Sequence, residues 1–125
     1  DPGLPTARVG RGRWVDLDRV APPNSGTCRK LYVPPEVAIS WAALVEEGAG
    51  HWLHLAWSPQ EVPYLGLWVD EGAVNSVRTA ALEISTGFHD SLVTAWEKQA
   101  APVLAPGERQ AWEVLLRVGA GPLPG

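Results

Sequence analysis

The chain has 125 residues, 46% of them hydrophobic and 19% charged, a balance that excludes a disordered polypeptide and predicts one domain, or part of one, with a packed core. A formal net charge of -4 without a basic stripe excludes a general nucleic-acid binder, and no apolar run is long enough for a helical membrane span. The single cysteine, Cys28, leaves no internal disulfide; with no signal-peptide pattern, the expected location is reducing and cytoplasmic.

Glycine and proline cut the sequence into short segments, as in all-β chains. The opening Asp1-Pro2-Gly3 reads as loop, and the chain has no methionine, so either a processed protein or one piece of a longer product is expected. Arg13 to Asp18 is a first strand, Ala21 to Gly26 a loop, and Arg29 to Val33 a short strand stopped by Pro34-Pro35. From Val37 to Val45, Val37, Ile39, Trp41, Ala43 and Val45 occupy one face of a period-two strand. The alanines there leave a helix as the alternative. A turn at Glu47 to Gly50 leads to a strand from His51 to Ser58, with Leu53, Leu55 and Trp57 on one side, which predicts a hairpin.

Tyr64 to Asp70 and Thr79 to Thr86 are two further strands. Asp90 is expected to cap a short helical turn through Trp96. Pro106-Gly107-Glu108 is a turn, and Trp112, Val114, Leu116 and Val118 alternate in the last strand. Residues 120–125 are expected to form a frayed tail. Together these elements predict an antiparallel β-sandwich. Seven tryptophans are a heavy aromatic load for this length, so some should lie in the core and others on an exposed binding face.

The sequence contains no metal-ligand cluster, phosphate-cradling glycine loop or nucleophile elbow, so neither a metal nor a cofactor is expected. His51 and His54, three apart on a strand, point to opposite faces and do not share an ion. Two stretches carry more. In Ala81-Leu82-Glu83-Ile84-Ser85, Glu83 shares a face with the small Ala81 and Ser85, which leaves room for a ligand beside a carboxylate. A carboxylate in a partly desolvated cleft can act as a general base, while a solvent-facing strand glutamate is the plain alternative. In Tyr64-Leu65-Gly66-Leu67-Trp68, Tyr64 and Trp68 flank a glycine on one face, a shallow trough suited to the C–H face of a sugar ring; ordinary β packing explains it equally well.

The order of these pieces, from Val62-Pro63-Tyr64-Leu65-Gly66-Leu67-Trp68 through Leu82-Glu83-Ile84-Ser85-Thr86-Gly87, Asp90-Ser91-Leu92 and Ala105-Pro106-Gly107-Glu108 to Trp112, resembles the carboxy-terminal half of aldose 1-epimerase (galactose mutarotase-like) proteins. The resemblance spans roughly residues 36–118. It implies that the chain, residues 1–125, is the carboxy-terminal half of a β-supersandwich, partnered by an amino-terminal half and binding a sugar. It implies that Glu83, the one residue that carries over, removes the proton from the anomeric hydroxyl; Tyr64 and Trp68 of the trough, with Ser85 beside Glu83, are the expected sugar contacts. The family's proton-donating histidine does not carry over onto His51, His54 or His89, and no clear phosphate clamp is present, with Arg78 and Lys30 the nearest cations. A non-catalytic carbohydrate-binding domain of the same fold is the alternative that the resemblance leaves open. A small sandwich whose aromatics serve only packing is the alternative outside the family.

Overall fold

The computed structural model describes residues 6–9, 13–16, 25–46, 48–88 and 90–123. Its elements are β1 (Thr6–Val9), β2 (Arg13–Asp16), β3 (Thr27–Tyr32), β4 (Trp41–Glu46), β5 (His51–Trp57), β6 (Tyr64–Glu71), β7 (Thr79–Ser85), a short helix α1 (Leu92–Glu97) and β8 (Val114–Ala120). They form two antiparallel sheets. A five-stranded sheet has the order β2-β1-β3-β6-β7, and a three-stranded sheet has the order β4-β5-β8. The fold is all-β and sandwich-like, as the repeated alternation predicts.

The core forms where the inner faces meet. Leu31 and Val33 from β3 and its extension, Leu55 and Trp57 from β5, Val62, and Leu65 and Leu67 from β6 are buried together, with Leu53, Leu82 and Ile84 packed around them. Fully burying one such side chain contributes roughly 1.5–3 kcal/mol before entropy is counted. The pleat sends the alternate residues of β3, β6 and β7 to the opposite, outer face of the larger sheet. Core and candidate site are therefore two faces of the same three strands.

Four sequence expectations need correction. The strand expected from Val37 begins only at Trp41; the Val37 N–H donates to the Pro34 carbonyl at 2.9 Å and closes a turn instead. Within β4, Trp41, Ala43 and Val45 face outward, while Ala42 and Leu44 share the inner face with their cross-strand partners Leu55 and Leu53. Both sets are apolar, so alternation alone could not say which face the partner strand would bury. The last strand begins at Val114, because β5 ends at its partner Trp57, and Trp112 lies outside it, half exposed. The helix is capped by Ser91, whose Oγ accepts from the Thr94 N–H at 3.2 Å; Asp90 is engaged elsewhere. Finally, Ala120 still belongs to β8, paired with His51, and the Gly121 N–H donates to the Gly50 carbonyl, so order extends into the expected tail. Residues 17–18 of the first predicted strand, most of the loop at 21–26 and residues 124–125 lie outside the described residues.

The smaller sheet leaves apolar groups uncovered among the described residues. Leu116 and Val118 sit on the inner face of β8 yet are 57% and 68% exposed, and Trp41, Val45 and Leu115 are exposed on the outer face. Among the described residues β8 forms an edge of its sheet, bonded to β5 alone.

Candidate functional site

The register of β3, β6 and β7 determines which side chains can meet on the outer face of the larger sheet. Lys30 stands opposite Trp68, which stands opposite Ala81; Tyr32 stands opposite Gly66, which stands opposite Glu83. Tyr64 is paired with Ser85 one step further along. The same parity that buries Leu65, Leu67 and Leu82 thus gathers Tyr32, Lys30, Tyr64, Gly66, Trp68, Glu83 and Ser85 on one surface.

Gly66 is the central position. A Cβ placed there would lie 3.5 Å from the Tyr32 ring and 3.6 Å from Glu83 Oε2. The missing side chain leaves a hollow of about 240 Å³ lined by Tyr32, Tyr64, Glu83, Ser85 and Asp90 over a glycine floor. Phe88 braces the two tyrosines, with ring centroids 6.0 Å from Tyr32 and 5.4 Å from Tyr64. The Ser85 hydroxyl accepts the Gly87 N–H at 3.1 Å and so fixes the turn at the rim. Trp68 shares the face but does not line the hollow.

Charge is concentrated at this rim. Lys30 forms an ion pair with Glu83 and reaches Asp90 at 3.4 Å. The Lys30 side chain is 25% exposed and that of Glu83 is 41% exposed. Glu83 is thus a half-open, ion-paired carboxylate and does not stand in an apolar cleft, the setting in which desolvation makes a carboxylate basic. Tyr32 is pushed up to about 12, first by burial and then by its hydrogen bond to the negative carboxylate of Asp90. Its hydroxyl therefore stays protonated and remains a donor at neutral pH.

Tyr64, Ser85 and Glu83 converge on the hollow, and Trp68 flanks it. Lys30, Tyr32 and Asp90 were not among the sequence-derived site residues. The spacing of Lys30 and Tyr32 on β3 placed them on a common face, but only the pairing of β3 with β6 shows that this face is also that of Glu83. Neither His51 nor His54 joins the site. His51 pairs with Glu46 at 3.3 Å, and His54 stacks on Trp41, both in the smaller sheet; His89 lies outside the described residues. Lys30 and Arg78 do not converge on a phosphate site either. Arg78 borders a separate cleft of about 1310 Å³ between the sheets, walled largely by Leu31, Leu53, Leu67, Leu82 and Val118. Among the described residues, no group of three or more histidines, cysteines or acids is placed to hold a metal ion, and no helix is long and apolar enough to cross a membrane. None of the protein-family models, curated proteins or solved structures compared with the chain matches it.

Proposed function

We propose that this chain binds a sugar over Gly66 and interconverts its anomers, with Glu83 removing the proton of the anomeric hydroxyl. The observation that carries this reading is the placement of Glu83 directly across from a glycine, in a hollow it shares with two tyrosines, on an open sheet face. The hollow is smaller than the ~300–1,000 Å³ of pockets for drug-sized ligands, which favours a single small ring. Tyrosine faces meet the C–H surface of such a ring, while Asp90, Ser85 and Tyr32 offer hydroxyl partners at its edge. On this reading the chemistry is ring opening: the base takes the anomeric proton, the ring oxygen gains one, and closure on the other face gives the second anomer. The resemblance to aldose 1-epimerases supports the same assignment.

A complementary half is part of the proposal. The exposed Leu116 and Val118 on the inner face of β8, and the exposed Val103, Leu104 and Trp112 on the segment before it, are apolar surface that an amino-terminal half would cover.

The ion pair of Glu83 with Lys30 favours a second reading, a binding domain without turnover, because a carboxylate held by an ammonium also serves as a hydrogen-bond acceptor for a sugar. Polarimetry on freshly dissolved galactose or glucose separates the two. Glu83→Gln should slow anomer interconversion about 10²–10⁴-fold, the usual contribution of a general base, with sugar affinity retained. Full activity in the Gln variant removes Glu83 from the mechanism. Binding without any anomerisation in the unmutated protein leaves only the binding domain.

A further inference from the structure

Glu83 explains one of the two proton movements in ring opening. The other, delivery of a proton to the ring oxygen, needs an acid beside it, and no histidine among the described residues faces the hollow. Among the described residues, a proton-bearing cation reaches Glu83 from β3, two strands away across β6. Lys30 crosses from β3 over the edge of the Trp68 row to pair with Glu83 Oε2, and its ammonium lies 3.4 Å from Asp90 Oδ1 and 5.8 Å from the centre of the Tyr32 ring.

We propose that Lys30 is the acid that protonates the ring oxygen while Glu83 acts as the base, so that the ion pair works as one bifunctional catalyst. This rests on the anomerase reading of the site. The anomeric hydroxyl and the ring oxygen are bonded to the same carbon. An acid and a base that are immediate neighbours, as Lys30 and Glu83 are, can therefore serve both from one side. A base and an acid on opposite walls of a cleft would instead reach the sugar from two sides.

The step balances. Glu83 takes the proton of the anomeric hydroxyl, and the released O–H pair becomes the second bond of the carbonyl. The bond between the anomeric carbon and the ring oxygen breaks, and its electron pair takes a proton from the Lys30 ammonium. An ion pair becomes a neutral acid and a neutral amine, with no net change of charge in the site. After rotation of the aldehyde, the ring hydroxyl attacks its other face and returns its proton to Lys30, while Glu83 reprotonates the carbonyl oxygen. Asp90, 3.4 Å from the ammonium, holds Lys30 in place through the cycle; it is a positioning residue.

The test uses two substitutions with different consequences. Lys30→Met removes both the charge and the proton. Lys30→Arg keeps a cation beside Glu83 and Asp90, but a guanidinium does not release its proton in proteins. Anomer exchange is followed by polarimetry and by magnetisation-transfer NMR, sugar affinity by calorimetry, and folding by thermal denaturation. The expected result is a loss of about 10²–10⁴-fold in rate for both variants, with the arginine variant folded and binding sugar as the parent does. A proton inventory in mixed light and heavy water should be bowed for the parent, as required when two protons move together. Recovery of the parent rate in Lys30→Arg would show that only the charge matters and would overturn the proposal, as would a linear inventory. An unmutated protein that does not anomerise sugars overturns the underlying reading itself, whatever the variants do.

Discussion

Gly66 and Glu83 are directly opposed across β6 and β7, and the space a side chain at Gly66 would occupy is bounded by the Glu83 carboxylate on one side and the Tyr32 ring on the other. The hollow exists because that one position carries no side chain. A methyl group there makes only ordinary contacts, so Gly66→Ala should fold at least as stably, with a gain of about 0.5–1 kcal/mol from the lost flexibility of glycine in a strand. Gly66→Val adds two further methyls that have to occupy the hollow. It should weaken sugar binding by at least about tenfold, or about 1.4 kcal/mol, in calorimetry. Unchanged affinity in the valine variant would place the sugar elsewhere.

Tyr32 should titrate late. The chain contains only two tyrosines, so in a Tyr64→Phe background the ultraviolet ionisation signal belongs to Tyr32 alone. Its midpoint is expected near 12, where an ordinary tyrosine ionises near 10. Because the folded state holds this proton more tightly than the unfolded chain, the contribution to stability is complete below about pH 10 and is lost as pH rises towards 12. A midpoint near 10 would show that burial and the Asp90 hydrogen bond do not act on Tyr32.

Asp70 gives the opposite sign. It is fully buried, and burial alone would raise it. Its oxygens accept the N–H groups of Gly72, Ala73, Val74 and Asn75 at 2.6–3.2 Å, and these bonds hold the carboxyl below its usual range. Stability drawn from this group is present above the ordinary aspartate range near pH 4 and is lost as pH falls through the depressed folded value. Urea midpoints should therefore decline below about pH 4. Asp70→Asn should lower the midpoint at pH 7 and flatten that acid limb, because the amide keeps the shape without the charge. An acid limb unchanged in Asp70→Asn would assign it to other carboxylates.

Trp52 is paired with Gly119 across β5 and β8, and a Cβ at Gly119 would come within 2.9 Å of Trp52 Cε2 and closer still to Cζ2. Gly119→Ala forces the indole off β8 and should cost about 1–3 kcal/mol as an overpacking change. The tryptophan emission should shift in the same variant. Parent-like stability and emission would mean that the ring rotates away freely.

The strands were legible where one face differed from the other. In β5 the large residues Leu53, Leu55 and Trp57 fall on one side, and that side is inner. In β7 the small Ala81 and Ser85 mark the side that Glu83 shares, and that side is open. In β4 both sides are apolar, so alternation left the sidedness open; it depends on partners 5 to 15 residues away in sequence. The site was half legible for a related reason. Tyr64, Glu83 and Ser85 belong to adjacent strands joined in sequence order, whereas Lys30 and Tyr32 arrive through a long-range pairing that no local pattern encodes. Asp90 sits where a helix cap is expected, and its use against Tyr32 and Lys30 depends on Ser91 taking over the cap.

Because the larger sheet carries the core on one face and the hollow on the other, the positions of the two are arithmetically linked. Removing one residue within β7, upstream of Glu83, would turn that glutamate inward to the layer of Leu65 and Leu67 and bring Ile84 out to face Gly66. Removing two would restore the facing while shifting Glu83 away from Gly66 by one full pleat. In this strand the site can be moved only in even steps, and each such step replaces the residue that faces the glycine gap.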